Sequence, residues 1–187
     1  DRTFDLREGQ LITHCCWNTQ LVHGHVLLTD RIRTQFAGRY KFLTIMRDPV
    51  ERTISNYRMA VAAGIADPDP EVWLASPIAR AHSTTYLRYL SGHHEVTPDQ
   101  EAHCLEKALA AVDLFSLIGF LDDIDAFTRD FEQLFGARLV LHKYNQAKGG
   151  EARLNDAQMA RLRDMCMSDR AIYDRARASG GRARVAA

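Results

Sequence analysis

The sequence predicts an α/β fold, a parallel β-sheet flanked by helices, in a single domain spanning residues 1–187. Two observations predict it. Short apolar runs rich in strand-forming residues alternate with longer helical patterns, and each run stops where capping or turn chemistry starts. The apolar share, 46% of 187 residues, suffices for one core and gives no reason for a second domain.

Taken in order, residues 21–28 (LVHGHVLL) and 41–46 (KFLTIM) read as strands, both being brief apolar runs. Asp48 and Pro49 then supply an N-cap and the residue preferred at the first helical position, so a helix is expected from there to about Gly64. The ADPDP stretch at 66–70 reads as a loop, and a less regular region is expected to run to His94. A helix capped by Thr97 is expected over 98–112, a third strand over 115–121 (FSLIGFL), and an amphipathic helix over 123–135 closed by Gly136. Residues 138–142 read as a fourth strand, 155–178 as a helix, and 180–187 as a frayed end.

The formal net charge is zero with the two signs interspersed, which argues against a global field for nucleic acid or an anionic membrane. Locally the balance differs: between positions 31 and 58, seven arginines and lysines accompany only Asp48 and Glu51. No apolar run approaches the roughly 20 residues that span a bilayer, and no signal peptide is visible. The four cysteines, Cys15, Cys16, Cys104 and Cys166, lack zinc-ligand spacing, and adjacent Cys15 and Cys16 do not fit ordinary disulfide geometry, so a reducing, cytoplasmic setting is expected.

Two segments carry chemistry. Arg47 follows a strand and precedes a capped helix, which sets its guanidinium beside a helix N-terminus that favours anions, at the carboxyl edge where parallel sheets bind ligands. A phosphate held by Arg47 and the Ser55 hydroxyl would lie along the helix side. Arg52, three residues before Ser55, would share that face or pair with Asp48 or Glu51. His23 and His25 are two apart on the first expected strand and so face the same way, with Gly24 between them allowing close approach. Such a pair serves as structure, as zinc or copper ligands with His14 or Cys15, or as a general base, since imidazoles titrate near neutrality.

The full string RDPVERTISNY at 47–57 resembles the 3'-phosphate-binding motif of sulfotransferases, in the branch containing bacterial carbohydrate sulfotransferases and heparan sulfate 2-O-sulfotransferases. LVHGHV, upstream of it, resembles that branch's His-Gly-His stretch in the same order and at a similar separation. YLRYLSG at 86–92, LIGFLDDIDAF at 117–127, Tyr144–Asn145 and IYDRAR at 172–177 are looser matches, with aspartate at 122 or 123 where the family has glutamate. The resemblance implies a P-loop NTPase-like sulfotransferase fold and transfer of a sulfuryl group from 3'-phosphoadenosine-5'-phosphosulfate to a carbohydrate hydroxyl, without metal. It implies that His25 is the base and His23 its assistant, that Arg47 and Ser55 hold the 3'-phosphate with Arg52 nearby, and that Arg88 projects toward the acceptor.

One part of the family pattern has no counterpart. The strand and lysine-containing loop that cradle the 5'-phosphosulfate are not found; residues 143–150 and 179–184 lack the strand-loop-helix order a backbone-amide cradle requires. The fold is therefore expected to be N-terminally incomplete, with the cradle preceding Asp1. A non-catalytic nucleotide- or glycan-binding module of the same fold is the alternative, and a kinase-like phosphotransferase lacks the Walker-type lysine that would recommend it.

Overall fold

The computed structural model describes residues 2–17, 19–141 and 153–180. Helix α1 (Arg2–Cys16) is not among the elements read from the sequence. Leu11, Ile12 and Cys15 nevertheless fall on one face and pack on the main core, a short apolar stripe within an otherwise polar segment. Residues 21–28 do not form the expected strand. They run as irregular chain because no neighbouring strand among the described residues offers a ladder, and the Leu28 amide instead donates to the Tyr89 carbonyl at 2.8 Å.

Helix α2 (Asp30–Phe36) starts at Thr29, whose hydroxyl accepts from the Ile32 amide. Strand β1 (Phe42–Met46) leads into helix α3 (Pro49–Ala62), which begins as the Asp-Pro pair predicts, Asp48 Oδ1 accepting from the Val50 and Glu51 amides at 2.9 and 3.0 Å. The region expected to be less regular holds three short helices, α4 (Pro70–Leu74), α5 (Pro77–Ser83) and α6 (Thr85–Ser91). Two of them open on Asp69-Pro70 and Ser76-Pro77, the same cap-proline signal that marks α3.

Helix α7 (Glu101–Ala111) begins later than a Thr97 cap implies, after a turn at 98–100. Strand β2 (Phe115–Phe120) pairs in parallel with β1, Leu43 opposite Leu117 and Met46 opposite Phe120. Helix α8 (Ile124–Phe135) is capped by Asp123 and closed by Gly136 at φ 64°. The fold is thus mixed helix and strand around a two-stranded parallel sheet. Residues 138–141 form no strand: Val140 and Leu141 are exposed, with no strand partner among the described residues, and His142 lies outside them. The expected single C-terminal helix is two, α9 (Asp156–Met165), opened by an Asn155–Gln158 capping box, and α10 (Met167–Ala178).

The main core joins β1 and β2 to α2, α6, α7 and α10 through residues such as Met46, Leu87, Val112 and Ile172. A second cluster under α3, α4 and α9 centres on Trp73 stacked on Tyr57, ring centroids 4.0 Å apart, with the Tyr57 hydroxyl donating to the Pro68 carbonyl. Among the described residues no helix is long and apolar enough to cross a membrane.

Candidate active site

Arg47 lies just past the end of β1, and what fixes it is Tyr86 of α6. The Tyr86 hydroxyl accepts from the Arg47 amide and donates to the Arg47 carbonyl, both at 2.7 Å, so a side chain does the work of a neighbouring strand. Burial pushes the Tyr86 phenol up, which keeps it a neutral O–H able to act both ways. The Arg47 guanidinium is partly exposed and, among the described residues, meets only the Glu51 carboxylate, at 3.4 Å. Ser55, one further turn along the same side of α3, is half-buried and its hydroxyl has no partner among the described residues.

The anion-favouring amides expected beside Arg47 are already engaged. Asp48 takes the Val50 and Glu51 amides, and its second oxygen accepts from Arg170. Burial raises this carboxyl, yet Arg170 and the two amides hold it below the ordinary aspartate value. The helix start is thus neutralised internally, which leaves on this face the Arg47 guanidinium, paired with the exposed Glu51 carboxylate, and the Ser55 hydroxyl, which has no partner among the described residues.

Arg52 goes elsewhere. Its guanidinium turns into the interior, donating to Asp169 Oδ2 at 2.7 Å and to the His82 carbonyl at 2.9 Å while lying over the Tyr86 ring at 4.0 Å. Pairing with Asp48 or Glu51 does not occur, because Asp169 of α10 offers a fully buried carboxylate. Burial pulls the guanidinium down, but Asp169 more than offsets this and holds it charged. Asp169 also accepts from the Tyr86 and Leu87 amides, each at 2.8 Å, so it caps α6 across the tertiary structure where Thr84 makes no side-chain cap.

His23 and His25 are exposed on the irregular chain, where they line a cavity of about 460 Å³ together with Arg7, Gln10 and His14 of α1 and Thr19. Among the described residues no carboxylate lines it. The Tyr89 ring of α6 meets His25 edge-on, centroids 6.5 Å apart, and Gly92 at the end of α6 has φ 80° with no room for a Cβ, which would lie 2.7 Å from the Leu28 carbonyl oxygen. Arg47 and Ser55 do not line this cavity; the two motifs meet through α6, which touches one with Tyr86 and the other with Tyr89.

Comparison with family models, with curated proteins and with solved structures finds no match.

Arg88 does not reach the cavity. It is half-buried, and its guanidinium donates to the His94 and Ala81 carbonyls, tying down the end of α6. His14 bonds Thr19 through Nδ1 at 3.3 Å and Cys15 is buried in the core, and no group of three His, Cys, Asp or Glu side chains suited to a metal occurs among the described residues. Tyr144, Asn145 and the stretch 143–150 lie outside the described residues, as do 181–184. The residues that sequence reasoning missed are Arg7 and Gln10, which carry no motif, and Tyr86 and Asp169, whose partners are distant in sequence; His14, read there only as a candidate metal ligand, lines the cavity.

Proposed function

We propose that the chain is a sulfotransferase, using 3'-phosphoadenosine-5'-phosphosulfate to sulfate a hydroxyl of a carbohydrate acceptor on a P-loop-like fold. The observation that carries this reading is the convergence on α6: Tyr86 pins the Arg47 backbone and Tyr89 backs His25, so the phosphate-anchor segment and the histidine segment rest on successive turns of one helix.

The residues fit the phosphate end of such a nucleotide. Among the described residues, a half-buried hydroxyl without a partner at Ser55 and a guanidinium held only by a solvent-exposed carboxylate at Arg47 are groups that a phosphate would satisfy, Glu51 swinging away as it binds. Arg52 supports from behind instead of touching it. When bound, the cofactor would supply the sulfuryl group, the bond from sulfur to the 5'-phosphate oxygen breaking and adenosine 3',5'-bisphosphate departing as the leaving group. His25 takes the proton from the attacking hydroxyl, His23 orients that hydroxyl, and the cavity accommodates the acceptor ring. A lining that, among the described residues, has Arg7 and three histidines but no acid suits an acceptor that carries a negative group.

The test is sulfate transfer from labelled cofactor to a panel of glycans, with His25→Ala and Arg47→Ala compared separately. The first should lower turnover by at least a hundredfold with nucleotide affinity retained, and the second should mainly weaken nucleotide binding. Retention on immobilised adenosine 3',5'-bisphosphate without transfer to any acceptor would favour a binding module, and failure to bind that nucleotide would overturn the assignment.

A further inference from the structure

The Arg47 backbone is held by a hydroxyl that belongs to none of the matched functional positions. Tyr86 makes two hydrogen bonds to one residue, accepting from its amide and donating to its carbonyl, and a phenylalanine in its place would leave both groups unpaired where β1 ends. Tyr86 is itself placed from two sides. Its ring carries the Arg52 guanidinium, and its amide is bonded by Asp169, which binds the Leu87 amide and Arg52 as well. Asp169 is therefore the common point of three elements: α10 that bears it, α3 through Arg52, and the first turn of α6.

The same helix carries the placement onward. One turn beyond Tyr86, Tyr89 meets His25 with its ring and accepts the Leu28 amide with its carbonyl. Arg33 then ties the Leu90 and Leu28 carbonyls together, its Nε donating to Leu28 at 3.0 Å. A shift of α6 would move both the phosphate anchor and the histidine segment.

We infer that Tyr86 and Asp169 are positioning residues of the site: Asp169 sets α6 against α3, Tyr86 fixes the backbone from which the Arg47 guanidinium projects, and α6 ties that placement to His25. Neither residue touches a ligand. This rests on the sulfotransferase reading for what Arg47 holds, and it adds two residues that act through Arg47 and His25.

The experiment is a double-mutant cycle on the full chain, with adenosine 3',5'-bisphosphate affinity measured by calorimetry for wild type, Tyr86→Phe, Arg47→Ala and the double variant. Tyr86→Phe should weaken the nucleotide about tenfold. If it acts through Arg47, the double variant should bind no more weakly than Arg47→Ala alone. Full additivity of the two losses, or unchanged affinity in Tyr86→Phe beside a clear loss in Arg47→Ala, would overturn the inference and leave the functional reading standing. Unchanged affinity in Arg47→Ala would instead overturn the functional reading. Should Tyr86→Phe not fold, the cycle runs with Asp169→Asn, where the same non-additivity with Arg47→Ala is required and its absence counts against the proposal.

Discussion

Replacing Asp169 by alanine should be among the most damaging single changes in this protein. The carboxylate is fully buried and accepts three hydrogen bonds, from Arg52 at 2.7 Å and from the Tyr86 and Leu87 amides at 2.8 Å. Without it the Arg52 guanidinium, whose side chain is only 13% exposed, becomes a buried charge with no counter-ion, and two helix amides lose their cap. Breaking such a pair costs about 3–5 kcal/mol, against a total stability for a domain of about 5–15 kcal/mol. At about 2–4 °C per kcal/mol for a chain of this size, the melting temperature should fall by roughly 6–20 °C. Urea unfolding followed by far-ultraviolet circular dichroism at pH 7 measures the change. Asp169→Asn, which keeps one acceptor oxygen, should lose less, and Arg52→Met combined with Asp169→Asn should recover part of the alanine deficit because no unpaired charge remains. A loss under 1 kcal/mol for Asp169→Ala would show that solvent already satisfies Arg52 and that α6 is not anchored as described.

Two further outcomes are expected. Burial, then the nearby Arg52 and Arg88 charges, depress the His82 imidazole below its ordinary value, so the folded state prefers it neutral; its contribution is present above the unfolded value of about 6.5 and is lost as pH falls toward the depressed folded value. The urea midpoint should therefore drop between pH 7 and pH 5, and the drop should be smaller in His82→Gln; an equal drop in both would assign the effect to other groups. Arg7→Ala should raise the acceptor KM several-fold with nucleotide affinity unchanged, since Arg7 lines the histidine cavity and Arg47 does not; equal kinetics on charged and neutral acceptors would remove the role given to that cavity's charge.

What the sequence determined by itself is what local chemistry encodes. The Asp48-Pro49 start of α3, the β1 and β2 runs, and the Gly136 end of α8 are each specified by a few neighbouring residues, because caps, backbone φ and short apolar runs act within one turn or one strand. Asp69-Pro70 and Ser76-Pro77 were equally legible and mark α4 and α5. Only the tertiary structure decided which polar groups face inward. Arg52 and Ser55 look equivalent along α3, yet Arg52 is turned inward by a carboxylate 117 positions away, whereas Ser55 has no partner among the described residues. The apolar run around His23 and His25 has a strand's composition but, among the described residues, no strand beside it, so it packs on α6. A strand needs a partner, and a buried charge needs a counter-ion. Both are supplied by residues remote along the chain, and no local pattern reports where they will be.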